Sequence, residues 1–228
     1  MTPGGQSSAT ARSVRIRRAP TSEQVSEHIR RLIFDGELRP GDRIPQDAIA
    51  ADLGVSRIPV REALIEMARD GLVVNEPHIG AFVGEFDEQV IRDHFEIVAM
   101  LQGMAAERLT ESHDEALFEQ LRVLAERVAS SDDPDEVHAD AVEFQRVINH
   151  GGGSARLRAA LRALGRMLPT GVFAGIPGSV DVQRDAVAGM WAALEQRSGA
   201  LIKERILAAN RARADLVIAE LRARGTLP

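Results

Sequence analysis

The sequence predicts a mostly α-helical chain that carries one small β-hairpin. Three observations predict it. Residues 49–64 read as two short helices around a tight turn, and residues 72–83 as two β-prone runs around a second turn. From Phe86 onward, apolar residues recur at helical spacing in segment after segment, with no strand signal among them.

The helix pair can be justified residue by residue. Ala50 is small where the first helix must approach the second. Gly54 suits the turn because it adopts positive φ without steric cost. Val55 points inward and pins the turn. Ser56 has N-cap chemistry, and Glu62 falls early in the helix that Ser56 starts. Pro59 is tolerated in a first turn, where backbone N–H groups have no intrahelical partner. Val60, Ala63, Leu64 and Met67 form a buried face, and Gly71 ends a helix over 57–69. Arg57 and Arg61 share one face near the helix start. In a helix-turn-helix that end of the second helix meets base edges and phosphates. An isolated Arg-x-x-x-Arg would read as two solvated side chains, but this one stands inside the whole pattern.

The hairpin comes next. Leu72-Val73-Val74 is β-prone, Asn75 to His78 reads as a turn, and Ile79 to Val83 as the return strand. It would form the wing of a winged helix-turn-helix. Gly80 would let the backbone approach a phosphate or a minor groove. His78 at the tip is a candidate contact and reads equally as a loop histidine in solvent.

Residues 21–86 resemble the winged helix-turn-helix of GntR-type bacterial repressors. The resemblance is carried by Leu38-Arg39-Pro40-Gly41-Asp42-Arg43-Ile44, Leu53-Gly54-Val55-Ser56-Arg57, Pro59-Val60-Arg61-Glu62-Ala63-Leu64 and Gly71-Leu72-Val73. It implies that Ser56, Arg57 and Arg61 contact double-stranded operator DNA, with the wing around Gly80. Ile58 and His78 complete the candidate DNA-binding set. Asp47 stands where many relatives carry an arginine, and Glu76 and Ile79 replace basic residues often found on the wing. Each change removes a phosphate partner, so weaker or more salt-sensitive binding is expected.

The 228 residues suit two parts, each with its own core. The formal charge is −6, with 11 Arg against 12 Asp and Glu in residues 1–86, and 17 Lys and Arg against 22 Asp and Glu in residues 87–228. DNA affinity would therefore rest on local placement rather than bulk charge. Residues 1–20, with Arg12, Arg15, Arg17 and Arg18, are expected to be a disordered basic arm, either adding DNA contacts or simply solvated. The chain has no cysteine, so disulfides and thiolate metal sites are excluded. No apolar run approaches the about 18 residues of a membrane span, and the N-terminus shows no signal-peptide core. A cytoplasmic protein with no membrane partner is expected. No nucleophile elbow, zinc-hydrolase helix motif or Walker loop appears, so neither catalytic residues nor a cofactor are expected.

Beyond Phe86 the helices are marked in series. Val90 to Ala105 mark the first, Leu117 to Val128 the second, Val137 to Ile148 the third, and Leu157, Leu161, Leu164 and Leu168 the fourth. A loop over 169–180 follows, then a helix around Trp191 and a last helix near 199–223. Short connections imply antiparallel neighbours and hence a bundle. The expected division is 1–20 arm, 21–86 DNA-binding, and 87–228 helical.

Residues 87–224 resemble, through helix number and the segment Phe144 to Leu157, the all-helical ligand-sensing domain (FCD) of the FadR-like branch. Metal-binding members of that group hold a divalent cation with one Asp and three His, and the cation binds an effector carboxylate. In this register those positions fall at Ala141, Gln145, Gln183 and Arg205, and an arginine usual in the first helix falls at Val98. Ala, Gln and Arg do not replace imidazoles and carboxylates, so no metal is expected there. His138, Asp140, Glu143 and His150 cluster nearby and read as solvated side chains with a helix-end histidine. Val98, Gln145, Gln183 and Arg205 are the candidate effector pocket. Two readings stay open. One is a homodimeric regulator, with repression expected, on a near-palindromic operator and released by an acyl or carboxylate effector. The other is a constitutive DNA-binding protein whose helical part only dimerises around a vestigial pocket.

Overall fold

The computed structural model describes residues 21–165, 167–169 and 171–227. The basic arm, with Arg12, Arg15, Arg17 and Arg18, lies outside the described residues. Helix α1 (Ser22–Phe34) is one that sequence analysis did not single out. Its N-terminus is closed by a capping box between Thr21 and Gln24. Helices α2 (Gln46–Leu53) and α3 (Arg57–Arg69) flank a turn in which Gly54 takes the left-handed conformation at φ 64°. The Val55 N–H closes that turn on the Ala50 carbonyl at 2.9 Å. Strands β1 (Val73–Glu76) and β2 (Gly80–Val83) pair antiparallel, with Val73 opposite Val83 and Glu76 opposite Gly80.

Val25, Ile29, Ile49, Val60, Ala63, Leu64, Met67, Val73, Ala81 and Val83 close one apolar core beneath these elements. Burying one such aliphatic side chain contributes about 1.5–3 kcal/mol. The face expected of α3 is the face that is buried. Two details differ from the sequence reading. Asn75 and Glu76 belong to β1, so the turn is tighter than 75–78, and Ile79 sits in the turn rather than in the return strand. The backbone explains the shift: His78 and Gly80 both adopt positive φ, at 67° and 144°, which lets the chain reverse within three residues.

The remaining elements are helices: α4 (Glu88–Thr110), α5 (Glu115–Ser130), α6 (Pro134–Gly152), α7 (Ala155–Leu164), α8 (Ser179–Glu195) and α9 (Gly199–Ala223). Asp87, Asp114, Asp133, Ser154 and Ser198 accept backbone N–H groups at the starts of five of them. A short 3-10 turn, Val172–Gly175, lies in the segment expected to be a loop. Leu168 falls beyond the end of α7. The longest helices, α4 and α9, pack along one another, and α6 and α8 close the bundle around Phe144, Ile148, Met190, Leu194, Ile202 and Ile206. Across α4 and α9, the Asn210 side-chain amide donates to Gln102 Oε1 at 2.9 Å, satisfying a buried polar pair.

A third cluster joins the two ends of the chain. Phe34 of α1 packs with Ile91, Phe95, Val217, Ile218, Leu221 and Leu227. Helix α6 ends inside the run of glycines 151–153, with Gly153 as its C-cap. The helix continues through Gly152, where a Cβ would meet the Ala105 carbonyl oxygen at 1.8 Å. Their missing side chains let α6 lie directly on α4.

Candidate nucleic-acid interface and helical cavity

The start of α3 is bare to solvent. Ser56 occupies the N-cap position but makes no side-chain cap hydrogen bond, so its hydroxyl is not engaged in the helix, contrary to the capping role its chemistry suggested. Arg57 and Ile58 are exposed, Ile58 at 68 %. Between α3 and the hairpin runs an open groove of about 580 Å³ lined by Arg57, Arg61, His78 and Gly80 among others. The structure thus brings four of the six candidate DNA-binding residues to one concavity, with Ser56 and Ile58 on the adjoining exposed helix start. The hairpin is held against the helix by Asn75 Nδ2, which donates to the Leu64 carbonyl at 3.3 Å.

Two features were not legible in the sequence. Asp47 on α2 grips Arg57 with both oxygens, at 2.5 Å to Nε and 2.8 Å to Nη2. Arg43 donates to the Ile79 carbonyl at 2.9 Å, and a Cβ at Gly80 would meet Arg43 Nε at 3.1 Å. The close approach at Gly80 is therefore made by the Arg43 side chain, which lays a guanidinium against the wing tip.

A second site lies in the helical part. A cavity of about 520 Å³ is bounded by residues of α4, α6, α7, α8 and α9. Gln145 and Gln183 line it, both almost fully buried, while Val98 and Arg205 lie outside its wall. Arg205 is exposed on the surface of α9, its stem beside Gly189. Of the cluster read as solvated, His150 is exposed in the last turn of α6 as expected, and the other three are half-buried or buried. Asp140 is buried and paired with Arg127 at 2.9 Å, and Glu143 is paired with Arg146, whose guanidinium holds its carboxyl below the usual range. His138 and His150 line the cavity, and His150 Nδ1 lies 3.0 Å from the Arg146 carbonyl. Ala141 also lines it and has no ligating atom. Among the described residues no group of three or more His, Cys, Asp or Glu is placed to hold a metal ion. The residues in this cavity do not fit the cation that the FCD resemblance implies.

The cavity holds a residue that sequence spacing did not flag. Arg213 of α9 is half-buried and lines the cavity, and desolvation pushes its guanidinium below its ordinary value. Arg211, two positions earlier on α9, is exposed and pairs with Glu96.

A helix-turn-helix with an ordered wing, an exposed recognition-helix start and a helical bundle behind it defines a DNA-binding protein with an appended helical module. Residues 21–83 match the family model described as "Bacterial regulatory proteins, gntR family". The probable D-xylose utilization operon transcriptional repressor of Paenarthrobacter nicotinovorans is 32% identical over 158 residues, 68% of this chain and 70% of that protein. An uncharacterized HTH-type transcriptional regulator of Mycobacterium tuberculosis is 34% identical over 147 residues, 64% of this chain and 60% of that protein. The chain thus aligns with less than two thirds of the length of that relative. The structure of E. coli McbR/YncC superimposes with a TM-score of 0.61 at 19% identity, over 87% of this chain and 97% of that one, a likeness of fold. The chain belongs to the GntR family of bacterial transcriptional regulators. Among the described residues no helix is long and apolar enough to cross a membrane.

Proposed function

We propose that this chain is a sequence-specific repressor that binds a near-palindromic operator as a homodimer and is released by a small acidic effector in the helical part. Residues 21–86 would be the DNA-binding unit and 87–228 the effector and dimerisation unit. The observation that carries the DNA reading is the groove in which Arg57, Arg61, His78 and Gly80 meet. Arg57 and Arg61 would read base edges or phosphates in the major groove, Ser56 and Ile58 would flank them, and the wing would follow the neighbouring backbone.

A dimer is supported by α4, where Ile97, Met100 and Met104 are 43 %, 61 % and 44 % exposed at i, i+3 and i+7. A row of large apolar side chains left in water favours a partner surface. A two-fold dimer would present two α3 helices to two half-sites. The open cavity, with polar groups facing into it, favours an effector over a vestigial core.

The test is binding of DNA selected by the wild-type protein. Arg57→Ala and Arg61→Ala should each lose specific affinity by about tenfold or more, with unchanged circular dichroism and melting temperature. Wild-type affinity in either variant would remove that arginine from the interface. Met100→Glu should shift the sedimentation coefficient from dimer to monomer.

A further inference from the structure

We infer that the cavity of the helical part binds an organic acid with an apolar body and a hydroxyl or N–H group, and that Arg213, rather than a metal ion, neutralises its acidic group. The inference rests on the proposed regulator and names the ligand class of its effector site.

Three observations carry the acidic group. Arg213 lines the cavity half-buried and has no hydrogen-bond or ion-pair partner among the described residues. A partly desolvated cation without a counter-charge gains when something of opposite charge joins it. The cavity wall carries no Asp or Glu, while Arg158 and Arg162 add positive charge at its edge. The ligand's anionic group therefore finds its counter-charge at Arg213, whose planar fork suits a carboxylate.

The neutral groups say more about the ligand. Gln145 is 7% exposed, and its Nε2 donates to Asn149 Oδ1 at 3.1 Å. Its Oε1 has no donor among the described residues, nor has His138 Nδ1 a partner. A ligand hydroxyl or N–H would satisfy Gln145 Oε1. Phe95, Val142, Leu161, Leu168 and Phe173 supply apolar wall, and about 520 Å³ is the size of a small-molecule site. The positions where the resemblance would place metal ligands hold Ala141, Gln145, Gln183 and Arg205, the last outside the cavity wall, so the Arg213 guanidinium supplies the positive charge that a cation would otherwise bring.

The experiment is thermal unfolding of the full chain with 3-hydroxybenzoate and 3-hydroxydecanoate, each beside its neutral methyl ester and beside inorganic phosphate, with and without EDTA. At least one acid should raise the melting temperature by about 3 °C near saturation. Its ester should not, and EDTA should not change the shift. Arg213→Met should abolish the shift. Arg213→Lys should keep part of the shift. Phosphate acting as well as either acid would overturn the apolar body, and loss of the shift with EDTA would overturn the guanidinium as the counter-charge. A Met variant that keeps the shift would overturn Arg213 as the ligand anchor. Specific DNA binding is measured on the same wild-type protein. If DNA is bound and neither acid stabilises the chain, this inference fails and the regulator stands; if no DNA is bound, the regulator itself fails.

Discussion

Asp47 and Arg57 are both largely exposed, so their two-pronged contact adds little to stability. Its consequence lies at the DNA. A carboxylate beside the first arginine of α3 occupies that arginine and repels phosphate. Asp47→Ala should tighten DNA binding severalfold and steepen the dependence of log affinity on log salt by up to about one, as read by fluorescence anisotropy across a salt series. Weaker binding in that variant would mean that Asp47 instead aims Arg57 at a base. The sequence exposed Asp47 as a lost phosphate partner, because its position in the motif could be compared. It did not expose the ion pair, because ten residues and a turn separate the two side chains. Arg213 was hidden for a related reason. Two positions along a helix rotate a side chain by about 200°, so only the packed phase of α9 separates the half-buried Arg213 from exposed Arg211.

Among the elements, α3 and the hairpin were the most legible, since a turn glycine, a buried i, i+3, i+4 face and β-prone runs each leave a local mark. The packing at the end of α6 was not. Three consecutive glycines mark the helix end, which falls at Gly152, but not that α4 lies close enough there to leave no room for a Cβ. Gly152→Ala would drive a methyl group into the Ala105 carbonyl and should cost about 3 kcal/mol. Gly175→Ala, with nothing within 4 Å of the added Cβ, should change stability by less than about 0.5 kcal/mol. Chemical denaturation of both variants checks the contrast, and equal losses would refute the packing role. Helix α4 also carries His94, edge-on to Phe95 with ring centroids 5.6 Å apart. Burial lowers its pKa, so the folded protein favours neutral imidazole while the unfolded chain gains a proton near its ordinary value of about 6.5. Stability should therefore fall as pH drops through that value, and stop falling from this cause below the folded pKa. His94→Gln should flatten the melting-temperature profile between about pH 7.5 and 5.5; an unchanged slope would assign the effect to other groups.

At the scale of the whole molecule, α9 touches both functional regions. Arg213 faces the cavity. Eleven residues later, about 16 Å along the helix axis, Arg224 at its C-terminus pairs with Asp35 and lies 4.7 Å over the Phe34 ring at the end of α1. A Cβ at Gly36 would meet the Arg224 carbonyl at 3.1 Å, so the chain after α9 sits tightly against the turn after α1. This junction is a physical route by which occupancy of the cavity could bias the orientation of the DNA-binding part. Arg224→Ala should leave acid binding and DNA binding individually intact while reducing the effect of one on the other. Unchanged coupling in a titration of DNA binding against acid concentration would remove α9 as that route.

The central claim is that α3 and the wing read a DNA sequence. Its most direct measurement is selection of bound duplexes from a random pool by the full-length protein, sequenced after successive rounds. Wild-type protein should enrich one near-palindromic motif, and Arg61→Ala should lose that enrichment. A pool that stays random with well-folded wild-type protein, or a motif that the Arg61→Ala protein selects equally well, would contradict it.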